Sequence, residues 1–393
     1  MVDVRSQYEA YPYPERDPAD ERRRLITGSP SPLREVDHYL FAGRRDWSQP
    51  FRVLVAGGGT GDGLIQIAQG AKDAGVKAEI TYVDLSTAAR QMAEARAKVR
   101  GLTGITFHTG SLLEAAELGR FDYIDCCGVL HHLPDPAAGF AALRAALAPG
   151  GGMGFMVYAP LGRSGVYPLQ EAFGTLFAGL APQARLEAAR KVMAQVPEGH
   201  PFRTNPHLGD HQQSDAGFYD LLLHGQDRAF AVEELLEVMG ATGWHLASFC
   251  WPALYELSRL VPDAPPLDPA VAMAVAEKLR GTFKVHVGYA APEARAPATM
   301  ADIGLVPHLP GTPPARLAQA VAQGRPLPLT LGTTKVTLRL PVEAAPLIAA
   351  VDGRRTLAEI ATLTGADRFA ARWAPVEREL TGWGMLLYSG LGG

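Results

Sequence analysis

The sequence predicts an α/β fold: a doubly wound, Rossmann-like parallel sheet with helices on both faces, followed by a small α+β domain. Apolar strand-like runs alternate with helical stretches between residues 53 and 158. The first run ends at a cluster of glycines, and the second ends in a carboxylate. In such sheets ligands bind beyond the carboxyl ends of the strands, so this pattern also predicts where the binding crevice lies.

The glycine cluster follows the first strand, Val53–Ala56, and precedes a helical stretch at residues 64–68. A tight turn between strand and helix uses backbone conformations that favour glycine, and a ligand can approach glycine backbone closely. The turn therefore predicts a ligand-binding loop formed by Ala56, Gly57, Gly58, Gly59 and Gly61.

Asp84 ends the second strand, Ala78–Asp84, about twenty residues after the glycine turn. A carboxylate there can accept hydrogen bonds from both hydroxyl groups of a ribose. Several classes of nucleotide-dependent enzyme have both a glycine turn and such a carboxylate, so these two features alone do not distinguish one class from another.

A third segment, Phe121–Asp135, contains Leu-His-His-Leu-Pro-Asp and is followed by a helix to Leu147 and the turn Ala148–Gly151. It resembles the fourth strand and following turn of class I S-adenosylmethionine (SAM)-dependent methyltransferases. This resemblance implies a seven-stranded sheet, SAM as cofactor and S-adenosylhomocysteine (SAH) as product. It also implies that the cofactor site includes the strand-end residues Leu85, Gly110, Ser111, Leu112, Gly128 and Val129.

Two positions depart from this family's pattern. Val55 stands where an acidic residue often closes the first strand, so the hydrogen bond toward the methionine part of SAM has to come from elsewhere or be absent. Ser111 stands where an aspartate often binds the adenine amino group, and a hydroxyl is a weaker acceptor.

The first 50 residues carry Tyr8-Glu-Ala-Tyr-Pro-Tyr-Pro14, which resembles a "YE..PYP" segment that precedes the core in several bacterial methyltransferases. Tyr8, Tyr11 and Tyr13 are thus candidates for contact with the acceptor, on a lid over the site. A strap that only packs on the core is the equal alternative.

The methyltransferase domain is expected over residues 51–292, with an acceptor-binding insertion at 160–245 between strands five and six. Tyr219, Asp227 and Arg228 are candidate acceptor contacts, although a structural hydrogen-bond network explains them equally well. His200, His207 and His211 raise the alternative of a metal site. Pro206 and Gly209 argue against a helical ligand pair, and methyl transfer from a sulfonium needs no metal, so none is expected.

Methyl transfer requires positioning of the acceptor and removal of its proton where it has one. Four side chains near strands four to six are candidates for this chemistry: His131, His132, Tyr158 and His224. The His-His pair could equally shape the site without moving a proton.

Residues 291–298 are predicted to be a linker, and residues 300–393 resemble small winged-helix domains of the PqqD-like type, which bind peptides. The resemblance rests on Asp352–Ala361 and the apolar residues after it. The resemblance implies that this domain presents a peptide. The alternative is a purely structural role or a role in dimerisation, which would make the protein a homodimer.

Composition limits the partners. The formal net charge of −4 argues against general nucleic-acid binding, and three cysteines give no disulfide framework. The sequence has no apolar run of membrane-spanning length and no signal peptide at its start, which predicts a soluble cytoplasmic protein.

The sequence thus predicts a SAM-dependent methyltransferase acting on nitrogen, or oxygen, of a protein or peptide. A small-molecule acceptor is the first alternative, and a non-catalytic SAM-binding regulator is the second. A nicotinamide dehydrogenase is disfavoured because the best match to its G-x-G-x-x-G pattern puts Ala56 at the first glycine.

Overall fold

The computed structural model describes residues 4–28, 30–331, 334–365 and 368–392, and it centres on a seven-stranded sheet. The strand order is β3-β2-β1-β4-β5-β7-β6, with β7 antiparallel to both of its neighbours. This order confirms the predicted doubly wound sheet with an inverted last strand. The strands are β1 Phe51–Ala56, β2 Ala78–Asp84, β3 Ile105–Thr109, β4 Phe121–Cys127, β5 Leu147–Tyr158, β6 His245–Phe249 and β7 Val285–Ala291.

Helices cover both faces of the sheet. Along β1, Leu54 and Ala56 pack into one apolar cluster, whereas Val53 and Val55 pack into another on the opposite face. Burial of both faces explains why β1 is continuously apolar from Val53 to Ala56. The helices of this part of the chain are α1 Val4–Ala10, α2 Leu33–Leu40, α3 Asp62–Asp73, α4 Thr87–Val99, α5 Pro136–Ala146, α6 Val166–Leu176, α7 Pro182–Met193, α8 Pro201–Thr204, α9 Asp210–Gln213, α10 Asp215–Leu222, α11 Val232–Ala241 and α12 Pro269–Arg280.

Short polar side chains set where the helices after the strands begin. Ser86 caps α4 by accepting a hydrogen bond from the Ala89 N–H, and Asp135 caps α5 by accepting from Ala137 and Ala138. Pro136 occupies the first turn of α5, where a backbone N–H is not needed. These caps fix the short loops between strand ends and helices, which form the walls of the crevice.

Two element boundaries differ from the sequence-based expectation. The Ala148–Gly151 turn belongs to β5, since Leu147 already pairs with Phe121 before the ladder shifts register. The sequence predicts a helix over residues 173–180, whereas the observed helix α6 begins at Val166, after Gly165 with φ 86°. A side chain at Gly165 would collide with the Phe202 backbone at α8, so glycine there allows the close approach of these two segments.

The N-terminal segment packs across the carboxyl edge of the sheet. The Glu9 carboxylate accepts hydrogen bonds from the Thr87 and Ala88 N–H groups at the start of α4. Further along, Arg96 and Glu21 form an ion pair with both side chains fully buried. These contacts fix residues 8–21 beside the glycine turn.

The C-terminal region contains two small antiparallel pairs, β8 with β11 and β9 with β10. The sequence predicts helices over residues 342–351 and from Thr356. Thr356 does begin a helix, with a capping box to Glu359, but residues 342–351 form a 3₁₀ turn, Val342–Ala344, followed by a short α-helix. The elements are β8 Val306–His308, α13 Pro314–Ala322, β9 Leu327–Leu331, β10 Thr334–Leu338, α14 Ala345–Ala349, α15 Leu357–Leu363, α16 Phe369–Gly382 and β11 Leu387–Ser389.

This region is fastened to the sheet domain through α2. The Tyr388 N–H donates to His38 Nδ1 at 3.0 Å, and Ser389 Oγ donates to Asp37 at 2.5 Å. Arg295, in the segment expected to be a linker, donates to the carbonyls of Leu40 and Gly150. The segment is therefore held against the sheet domain rather than extended in solvent. Among the described residues no helix has the length and apolarity needed to cross a membrane.

Candidate functional site

A cavity of about 430 Å³ lies at the carboxyl ends of β1, β2, β4 and β5. Its wall contains residues from separate strand ends and from the N-terminal segment, as the alternating pattern predicts. The lining includes these candidates from the sequence: Ala56, Gly57, Gly58, Gly59, Asp84, Leu85, Gly110, Ser111, Leu112, Gly128, Val129, His132, Tyr158, Tyr8 and Tyr13.

The glycine turn forms one wall because side chains are excluded there. Gly57 has φ 67°, and a Cβ on it would lie 2.6 Å from the Val129 side chain. A Cβ on Gly58 would collide with the Tyr82 ring. The turn thus presents bare backbone to the cavity, which suits close approach of a ligand's sugar or carboxylate.

Gly61 has a different role from the one expected. It precedes α3 with φ 102°, and a Cβ there would lie 2.9 Å from Ala93 Cβ, so it allows α3 and α4 to pack closely. It lies outside the lining that the described residues form.

Asp84 is held by backbone donors at the tip of β2. Its carboxylate accepts from the Gly59 N–H and from the Ser86 N–H, each at 2.8 Å. Burial raises the pKa of the Asp84 carboxyl, and these two donors oppose that rise. A fixed carboxylate beside bare glycine backbone is the donor and acceptor set that a ribose requires, so this end of the cavity fits the sugar of a nucleoside.

Asp220 on α10 lies at the other end of the cavity. Its two carboxylate oxygens accept hydrogen bonds from the hydroxyls of Tyr8, at 3.1 Å, and Tyr158, at 3.2 Å. Burial raises the pKa of Asp220, and burial together with this carboxylate raises the pKa of both tyrosines well above their ordinary value. Tyr13 also lines the cavity.

The histidines are fixed in different tautomers by backbone partners. His132 Nδ1 lies 3.1 Å from the Gln226 carbonyl, so it donates, and Nε2 is left as a hydrogen-bond acceptor. His224 Nδ1 accepts from the Gln226 N–H at 3.0 Å, so its Nε2 carries the proton toward the Tyr8 hydroxyl. His131 Nδ1 accepts from the Tyr158 N–H at 3.3 Å. His132 thus lines the cavity with one ring nitrogen, Nε2, that can accept a proton.

Burial lowers the pKa of His131 and of His224 well below the ordinary value, and the neighbouring His132 adds to the effect. Both side chains support the wall from behind: His131 packs against Tyr158 at 3.8 Å between ring centroids, and His224 stacks on His132 at 3.9 Å. They position the groups that line the cavity.

Two sets of side chains in the described part of the chain lie close enough to share a metal ion: His131, His132 and Asp227, and His132, Asp220 and His224. Because His224 Nδ1 accepts from the Gln226 N–H, the ring proton of His224 is on Nε2. A metal bound by the second set would have to displace this proton. His207 and His211, the pair weighed from the sequence, belong to neither set.

Four predicted acceptor contacts lie outside the cavity lining. Tyr11 stacks on Tyr219 at 4.9 Å within the apolar core of the helical insertion. Asp227 is buried against Arg163 at 2.8 Å, and Arg228 lies at the surface, 3.8 Å from Glu234. Apolar packing and ion pairing, which the sequence does not display, account for these placements.

The sequence-based reasoning missed Asp220, Asp125 and Arg16, which all line the cavity. For Asp220 a signal existed, because it is the one charged residue within the apolar stretch Ala216–Leu222. Asp125 likewise stands among buried apolar residues of β4. A lone charge inside a buried run requires a partner or a function.

The seven-stranded sheet in this order, with a glycine turn after β1 and a carboxylate at the tip of β2, agrees with the fold that the resemblance to class I methyltransferases implies. The sequence agrees: residues 54–153 match the family model described as "Methyltransferase domain".

Known proteins resemble the chain beyond this domain. It is 32% identical over 257 residues to an uncharacterized protein of Synechococcus sp., covering 63% of this chain and 59% of that protein. The chain thus spans less than two thirds of that relative's length. Its fold is similar to PKMT2 from Rickettsia typhi, with TM-score 0.61, 14% identity, and coverage of 92% of this chain and 76% of that one. PKMT2 in complex with AdoHcy gives TM-score 0.62 at 15% identity, covering 93% and 77%.

Proposed function

We propose that the protein is a SAM-dependent methyltransferase that methylates a nitrogen, or alternatively an oxygen, of a protein or peptide. The observation that carries this proposal is the composition of one cavity. A fixed carboxylate and bare glycine backbone lie at one end, and a histidine nitrogen that can accept a proton lies at the other, together with a carboxylate that accepts from two tyrosine hydroxyls.

The residues at the strand ends fit the parts of SAM. Asp84 would bind the ribose hydroxyls, the Gly57–Gly59 backbone would lie against the sugar, and Gly110 with Ser111 would face the adenine. When bound, SAM supplies a methyl group that its sulfonium has already activated. The protein therefore has to hold the acceptor in line and keep its attacking lone pair free.

The acceptor end of the cavity favours a nitrogen. The phenols of Tyr8 and Tyr158 and the Asp220 carboxylate attract a protonated amine, through their electron-rich faces and through charge. An amine must lose its proton before it attacks, and His132 Nε2 is an acceptor on the cavity wall that can take this proton. These groups also argue for a catalytic site over a purely SAM-binding regulator.

The C-terminal region supports a protein or peptide acceptor through its resemblance to PqqD-like domains and its attachment to α2. A small-molecule acceptor is the second candidate, and one observation favours it. Tyr8 and Tyr13 of the N-terminal segment cover the acceptor end, which restricts what can enter.

Transfer of labelled methyl groups tests the proposal. We expect the protein, incubated with methyl-labelled SAM and a cell lysate, to label the macromolecular fraction. Label confined to small molecules would favour the second candidate, and no label with no SAH binding would contradict the function itself.

His132→Asn tests the proposed proton acceptor. The asparagine amide can still donate to the Gln226 carbonyl, but it has no basic nitrogen. We expect transfer to fall about 10²- to 10⁴-fold, the usual contribution of general base catalysis, while SAH affinity is retained. His245→Asn, at an exposed position on β6, is the matched control and should keep full activity.

A further inference from the structure

A buried carboxylate, Asp125, forms part of the cavity wall beside the ends of β1 and β4. It is 2% exposed, and the neighbouring wall includes Gly28, Val55, Cys127 and Met156. No step of the proposed transfer uses it. A charged side chain in the wall of a largely apolar crevice is one that a bound ligand would meet directly.

The register of the sheet relates Asp125 to Val55. Val55 on β1 pairs with Asp125 on β4 as direct neighbours in the parallel ladder. Paired residues on adjacent strands point to the same face, and the strands lie about 4.8 Å apart. The Asp125 carboxylate therefore stands one strand away from the place that an acidic residue 55 would occupy, on the same face of the sheet.

The surroundings fix the orientation of this carboxylate. Ser31 Oγ donates a hydrogen bond to Asp125 Oδ2, and the Tyr123 hydroxyl, two residues earlier on the same face, donates to the Pro30 carbonyl. On the adjacent strand, a Cβ on Gly154 would collide with the Tyr123 hydroxyl, so glycine there lets the 30–31 segment lie close over the sheet. A carboxylate has about four acceptor sites, so Asp125 can accept from this segment and also face the cavity whose wall it forms.

Two carboxylates, Asp84 and Asp125, lie in different parts of the cavity. Asp84 at β2 is suited to the sugar, whereas Asp125 lines the same cavity two strands away, across β1. Arg16, which also lines the cavity, is already paired with both carboxylate oxygens of Asp62, at 2.9 and 2.6 Å. Asp125 is thus placed to bind a cation in this part of the cavity.

Resting on the proposed function, we infer that Asp125 binds the α-ammonium group of the amino-acid portion of SAM and SAH. The carboxylate that Val55 fails to supply on β1 is supplied instead by the neighbouring strand. Asp125 then selects ligands that carry this ammonium group over nucleosides that lack it.

Calorimetric titration with two ligands tests the inference. SAH carries the amino-acid portion, whereas 5′-methylthioadenosine has the same nucleoside and sulfur without it. We expect Asp125→Asn, which can still accept the Ser31 hydrogen bond, to weaken SAH binding about 10- to 100-fold, the range for losing a hydrogen bond between charged groups. Its affinity for 5′-methylthioadenosine should stay within about twofold of wild type.

A transposed variant provides the second measurement. Val55→Asp combined with Asp125→Val returns the carboxylate to β1, and we expect it to recover at least part of the lost SAH affinity relative to Asp125→Val alone. Equal loss of both ligands in Asp125→Asn, or unchanged SAH binding, would overturn the inference while leaving the methyltransferase intact. Failure of the wild-type protein to bind either ligand would instead overturn the proposed function.

Discussion

Replacement of Asp84 by alanine should remove most of the affinity for SAH. The carboxylate is held in place by the Gly59 and Ser86 N–H groups and would accept two further hydrogen bonds from the ribose. A hydrogen bond to a charged group contributes about 1.5–3 kcal/mol, so losing two costs about 3–6 kcal/mol, or about 10²- to 10⁴-fold in Kd.

Asp84→Asn should lose nearly as much affinity, because both carboxylate oxygens face backbone donors. An asparagine side chain has one acceptor oxygen, so its amide N–H₂ would point at one of these N–H groups. Isothermal titration with SAH measures the effect, and far-UV circular dichroism verifies that the sheet is formed.

Glu79→Ala is the matched control for these variants. Glu79 lies on the same strand with a side chain 52% exposed, outside the cavity, so the variant should bind SAH like wild type. A Kd for Asp84→Ala within about threefold of the wild-type value would refute the assignment of the ribose to the tip of β2.

Two further variants test contributions to stability. Burial raises the pKa of Glu35 to about 7 from about 4.5, so the native state holds a proton that the unfolded chain releases, and stability falls as pH rises through this window. The free energy of unfolding of Glu35→Gln should therefore exceed that of wild type at pH 8 by about 1–3 kcal/mol, but not at pH 4. Urea unfolding at both pH values measures this difference. The same dependence of unfolding free energy on pH in both proteins would contradict the prediction. Gly57→Ala should lower both the melting temperature and SAH affinity, because alanine at φ 67° is strained by about 1–2 kcal/mol and its Cβ meets Val129. Gly174→Ala, in open space on α6, is its control; an equal loss in both variants would show that the effect is not specific to the turn.

The sequence alone determined the sheet and the cofactor end of the cavity. Strand periodicity, the glycine turn and Asp84 are local features: each follows from the conformation of a few consecutive residues and from their place at a strand end. The alternation of strands and helices then restricts the connections to a doubly wound sheet, because parallel strands need helical crossovers. For this reason the order of the strands and the position of the crevice agree with the prediction.

The acceptor end depended on contacts between residues far apart in the chain. Tyr8, Tyr158 and Asp220 meet through hydrogen bonds that span 62 and 212 positions, and no local pattern encodes such a meeting. The same holds for the tautomer of His132, which a carbonyl 94 residues away decides.

Tertiary structure also decided which of the candidate residues line the cavity. Tyr11 and Tyr219 pack on each other, and Asp227 is paired with Arg163, so these side chains are held outside the cavity lining. Asp125 lies in the cavity wall because the pairing of β1 with β4 places it beside Val55. Sequence periodicity fixes which face of a strand a residue occupies, but only strand pairing decides which residues are neighbours on that face.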